Sequence, residues 1–120
     1  SIDPMLDALS DSMFTVRQSI NLYFPKFGKA GLDRLKRRME TANGPELVEY
    51  VRLVGRFRKD EVVKDASKIL QKYADNANPI VRGWALKGLK ELDKERFDKI
   101  ADKIKAEEND PFVLWLMEKE

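Results

Sequence analysis

The chain has 120 residues, 42% apolar and 37% charged, so it can build one domain around one core and is too apolar to be disordered. It contains no cysteine and no histidine, which removes disulfides, thiolate chemistry, and the commonest general base and metal ligand. The net charge is only +2 but unevenly spread: residues 1–16 carry −3, residues 17–59 carry +7 and residues 60–120 carry −2. One contiguous third of the chain is basic.

Ser1, Ile2, Asp3 and Pro4, directly before Met5, look like the remnant of a protease-cleaved expression tag. Residues 1–4 are therefore set aside, and 5–120 are read as a single helical domain. Nothing after Met5 resembles an export signal, and no apolar run reaches the ~18 residues of a membrane span. The expectation is a cytoplasmic protein with no membrane partner.

Leu6, Leu9, Met13, Val16 and Ile20 recur at three and four residues and predict one N-terminal helix over 5–24, stopped by Phe24-Pro25. Gly28 and Gly31 mark the turn that follows. Leu32, Leu35 and Met39 predict a short second helix, closed by Asn43, Gly44 and Pro45. Leu47, Tyr50, Val51, Val54 and Phe57 make the next stripe. Asp60 is a candidate N-cap for a helix on Val62, Val63, Ala66, Ile69, Leu70 and Tyr73. Asn78 with Pro79 opens another, whose inward positions are Val81, Trp84, Ala85, Leu89 and Leu92. Asp93 caps a helix carrying Phe97, Ile100, Ala101 and Ile104, and Asp110-Pro111 opens a last short one. About seven helices with short connections leave no room for a sheet, so the fold class is all-α.

Pro45, Pro79 and Pro111 each follow a turn residue and open an apolar helix, at separations of 34 and 32 residues. A partner helix precedes each, giving helix pairs over 31–59, 60–92 and 93–120. A single pair cannot bury its apolar face; three stacked pairs can. The run Asn78, Pro79, Ile80, Val81, Arg82, Gly83, Trp84, Ala85, Leu86 resembles the second helix of a HEAT repeat, whose pattern is Asp/Asn-Pro, a Val-Arg pair, then Ala and Leu. The likeness is good over 60–92, fair at Asp110 to Val113, and poor at Gly44 to Leu47, where the Val-Arg pair is missing. The resemblance implies a fragment of an α-α superhelix, a class whose members usually bind macromolecules without chemistry. The alternative is an irregular compact helical bundle.

Two sets of residues stand out as candidate surfaces. Lys29, Arg34, Arg37, Arg38, Arg52, Arg56 and Lys59 form a basic set suited to phosphate or to an acidic protein. Arg52 and Arg56 are one helical turn apart with like charge, which an anion would relieve. The bland reading of the same residues is a solvated face paired with Asp33, Glu46 and Glu49. Tyr23, Phe24 and Phe27 between Lys26 and Lys29 could stack bases, although aromatics beside a proline more often pack on a neighbouring helix. In the last helix Phe112, Leu114, Trp115 and Leu116 belong to an unbroken apolar run, which predicts a protein interface or a homodimer unless the N-terminal helix folds over it. The carboxylates Glu91, Asp93, Glu95, Asp98 and Asp102 alternate with lysines and read as intrahelical ion pairs.

With no nucleophile setting and no cofactor motif, the expected function is a non-enzymatic interaction adaptor with HEAT-like repeats and no cofactor. The alternative is a nucleic-acid-binding accessory protein using the 29–59 surface.

Overall fold

Short polar side chains start the later helices. Asn78 Oδ1 accepts from the Ile80 amide at 2.9 Å, Asp93 from Arg96 at 3.1 Å, and Asp110 from Phe112 at 2.8 Å. Each satisfies an amide that the first turn cannot bond internally. Proline follows in the first turn at Pro79 and Pro111, and again at Pro45, where its missing N–H costs nothing.

The computed structural model describes residues 2–119. They form α1 (Ile2–Asp7), α2 (Phe14–Tyr23), α3 (Gly28–Met39), α4 (Gly44–Val54), α5 (Asp60–Tyr73), α6 (Pro79–Leu92), α7 (Lys94–Glu107) and α8 (Pro111–Glu118). Short 3₁₀ turns occupy Ala8–Ser10 and Phe24–Phe27, and there is no strand among the described residues. The all-α expectation holds. Helix α6 is central, packing against α4, α5, α7 and α8, while α3 lies against α4 and α5. Val81, Ala85, Leu86 and Leu89 of α6 are fully buried, each worth roughly 1–3 kcal/mol of burial according to size. The Cα radius of gyration is 13.7 Å, against about 13.6 Å for a packed chain of this length, so the helices close into a globule.

The N-terminal helix differs from its predicted form: it is broken between α1 and α2. Asp11 Oδ1 accepts from the Met13 amide at 2.7 Å, Ser10 Oγ donates to the Asp7 carbonyl at 2.8 Å, and Arg17 reaches the Asp11 carbonyl. Three consecutive short polar residues offer the backbone local partners that compete with helix hydrogen bonds, and this overrides the apolar period. Met13 is consequently exposed. Downstream, α2 ends at Tyr23, and Gly28 makes the turn with φ +63°, a left-handed value that favours glycine. Gly31 belongs instead to the interior of α3, where Phe24 and Phe27 pack on its bare Cα. Asp60 is the first residue of α5 and not its cap; with Glu61 it lies at the positive end of the helix dipole.

Helix α8 also sits differently from expectation. Its apolar run docks mainly on α6, not on Phe97, Ile100 and Ile104 of α7, and α1 packs on α3 rather than over α8. Val113, Leu116 and Met117 are buried, because glycine at Gly83 removes the side chain that would hold the two helices apart. Leu116 therefore belongs to the core and offers nothing to a partner.

Candidate functional site

The exposed edges of α4, α6 and α8 share one strip of cations and aromatic rings. Arg52 is exposed in the last turn of α4, and Arg56 is exposed in the turn that follows the helix. The Arg52 guanidinium sits 4.1 Å from the centroid of the Trp84 ring on α6. Trp84 meets Phe112 of α8 edge-on at 6.4 Å, and Phe112 meets Trp115 at 6.3 Å. Lys119 Nζ then covers the Trp115 ring at 4.6 Å. Each such contact contributes roughly 0.5–1 kcal/mol at an exposed site. The sequence from cation to ring to ring to ring to cation runs across three helices.

Trp115 is 54% exposed and Ile80, one turn before Trp84 on α6, is 47% exposed. Phe112, Leu114 and Trp84 are half-buried. Arg56 lines a shallow cleft of about 100 Å³ with Val51, Arg52, Trp84, Lys87 and Glu91. Glu91 is already engaged by Lys87 at 2.9 Å and by Arg58 at 3.8 Å. Among the described residues, Arg52, Arg56 and Lys119 have no carboxylate within 4.0 Å.

The remaining basic residues lie elsewhere and are mostly committed. Arg38 donates to Asp7 Oδ1 at 2.6 Å, to the Tyr50 hydroxyl at 3.0 Å and to Asp3 Oδ1 at 3.3 Å. Burial opposes its charge, but the bonds to Asp7, Tyr50 and Asp3 outweigh this and hold its pKa above the ordinary arginine value. Arg34 pairs with Asp3 at 3.8 Å. Asp3, inside the stretch read as a tag remnant, thus meets two arginines of α3. Lys29 faces Asp33 at 3.5 Å and Asp65 at 3.9 Å, at the rim of the groove between α3 and α5. Arg37 and Lys59 are exposed. The seven basic residues are therefore not brought to one side; only Arg52 and Arg56 join the aromatic strip.

Replacing Arg38 with methionine is expected to free α1 while the rest stays folded, because Leu6 and Leu9 still dock by apolar contact. The loss of charge-assisted bonds should cost about 1–2 kcal/mol. Hydrogen exchange would show it as faster exchange confined to residues 2–10; uniform acceleration through α4 and α6 would contradict the assignment.

Of the aromatics near Pro25, Phe24 is fully buried, edge-on to Phe27 at 5.3 Å and to Phe57 at 6.0 Å. It serves the core. The carboxylates of α7 pair within their own helix, Asp98 with Lys94 at 3.1 Å and Glu95 with Lys99 at 3.7 Å. Trp84, expected inward, and Lys119 are the strip members the sequence reading missed, and only Trp84 carried a signal. It falls off the line of Val81, Ala85, Leu89 and Leu92, and that angular offset was the available signal.

Arg82, beside the buried Val81, is structural. It grips Glu108 with two bonds of 2.9 Å and donates to the carbonyls of Asn76 and Ala77, tying the loop before α6 to the loop before α8.

Fold and surface together define a class: a small all-α protein that carries a cation–aromatic strip across three of its helices. Among the described residues, no three carboxylates converge to hold a metal ion, and no helix is long and apolar enough to cross a membrane. In comparisons with known proteins, no family model, no curated relative and no solved structure matches this chain.

Proposed function

We propose that this chain is a non-enzymatic interaction adaptor of the cytoplasm, and that the outer face of α4, α6 and α8 is where it holds a protein partner. The observation that carries this is the strip itself. Trp and Arg dominate the energetics of protein interfaces, and here Arg52 on α4 and Trp115 on α8 stand exposed on either side of α6. The absence of histidine and cysteine from the chain supports a role without chemistry. In the same reading the three proline-opened pairs are HEAT-like repeats; the row of α4, α6 and α8 beside the contact of α3 with α5 supports stacked pairs.

The test is a photo-crosslinking residue placed at Ile80 on the strip, compared with one at Lys64, exposed on α5. Nuclease-resistant protein adducts are expected from Ile80 only, and Trp115→Glu should abolish them. An adduct of twice the chain mass would make the partner a second copy. Equal adducts from both positions, or adducts to nucleic acid alone, would overturn the reading.

A second reading, nucleic-acid binding, draws on Arg52 and Arg56 standing without carboxylates beside Trp84. It requires affinity that falls steeply with added salt, by about one unit of the logarithmic slope per phosphate contact.

A further inference from the structure

We infer that the ligand of the strip is a short acidic segment of a partner protein: large apolar side chains with carboxylates on both sides. The inference rests on the adaptor reading above and names the chemistry that the same face would take.

The order of groups along the strip dictates the order in the ligand. Arg52 and Arg56 stand at the α4 end and Lys119 at the α8 end, with Trp84, Phe112 and Trp115 between them. A complementary chain therefore has negative charge at its ends and apolar bulk at its centre. Three neighbouring helices at separations of ~8–10 Å span about 20 Å, the reach of about six extended residues. The three cations have no carboxylate within 4.0 Å among the described residues, whereas Lys87 is held by Glu91 at 2.9 Å. Along this strip they are the cations without a carboxylate partner among the described residues.

The Arg52 guanidinium over the Trp84 ring keeps N–H groups at its edge for hydrogen bonding, because its donors lie in the guanidinium plane. Arg52 can thus donate two hydrogen bonds to a carboxylate without leaving Trp84. The ring faces, by contrast, are already partly occupied. Arg52 covers Trp84, Lys119 covers Trp115, and Phe112 lies between the two rings. Bases need free faces to stack, so this arrangement favours carboxylates and aliphatic groups over a single-stranded nucleic acid.

The probe is a random-peptide phage library selected on the intact protein and counter-selected on Trp115→Glu. Enriched peptides are expected to carry Asp or Glu on both sides of Leu, Ile or Phe. A synthetic peptide of that consensus should bind about tenfold more weakly to Arg52→Gln and about thirtyfold more weakly to Trp115→Ala. Its Asn/Gln counterpart should bind weakly to the intact protein and show little salt dependence. Both variants lie on exposed positions, and circular dichroism checks that they remain helical.

Enrichment of basic or uncharged peptides, or no enrichment at all, overturns the inference. So does an oligothymidylate that binds more tightly than the consensus peptide. If crosslinking from Ile80 still captures a protein while acidic peptides fail, the adaptor reading survives and only the ligand chemistry falls.

Discussion

A Gly83→Val protein is expected to lose α8 from its seat on α6, at a cost of about 3 kcal/mol. A Cβ at Gly83 would stand 2.9 Å from Leu116 Cδ1 and 3.1 Å from the Phe112 ring, both inside ordinary contact. Alanine at this position should be nearly neutral. The atoms it meets are side-chain tips that can shift slightly, and replacing glycine inside a helix returns about 1 kcal/mol. Valine adds two methyl groups that have nowhere to go. It should displace α8 and expose Val113, Leu116 and Met117, while α3 to α6 keep their packing. Denaturant unfolding would measure the cost, and the fluorescence of Trp84 and Trp115, which both touch Phe112, would report the displacement. Equal stability of the alanine and valine variants would show that α8 is not held at this crossing. Because Phe112 and Trp115 ride on α8, the valine variant should also lose whatever binds the strip.

The second large effect is expected at Glu108. Its carboxylate receives two bonds from Arg82 and one from the Asp110 amide at 3.0 Å, and its side chain is only 8% exposed. The Arg82 bonds, opposed by burial, hold the Glu108 carboxyl below its ordinary range. The folded pKa is depressed, so the stabilisation is fully present above the unfolded value of about 4.3 and is lost as pH falls through the folded value. Glu108→Gln removes the charge and one of the two acceptor oxygens, leaving the half-buried Arg82 with a single neutral side-chain acceptor beside the Asn76 and Ala77 carbonyls. A loss of about 2–3 kcal/mol is expected at pH 7, shrinking towards zero as the intact protein is acidified below about pH 4. Unfolding free energies of both proteins at a series of pH values would check this. A constant difference across the acid range would mean that the ion pair contributes no stability.

The residues that make these two predictions possible were unequally visible before the fold was known. Asn78, Asp93 and Asp110 announce helix starts because capping depends on a side chain and the next two or three amides, all local in sequence. The three prolines and the apolar stripes are equally local, and they suffice for an all-helical chain with its later boundaries in place. The break at Asp11 was local too, but two local signals compete there, an apolar period of the helical kind and a triplet of short polar residues. Nothing within the stretch ranks one above the other; burial of Leu6 and Leu9 with exposure of Met13 does.

What the sequence by itself determined is therefore the class of secondary structure, the helix starts from Asn78 onward, and the residue types able to bind. Those follow from interactions within about four positions along the chain. Tertiary structure alone decided which of the basic residues stay free. Arg38 and Arg52 look alike in sequence, yet Asp3 and Asp7 reach one while the Trp84 ring supports the other. Tertiary structure also decided that Leu116 is core while Trp115, its neighbour, is surface. Only the close approach permitted by Gly83, 33 positions away, selects which side of α8 turns inward. A helix that is apolar all round carries no internal instruction about its orientation. Its partner supplies that, and here the same contact brings Phe112 up to Trp84, so that one strip of cations and rings crosses three helices.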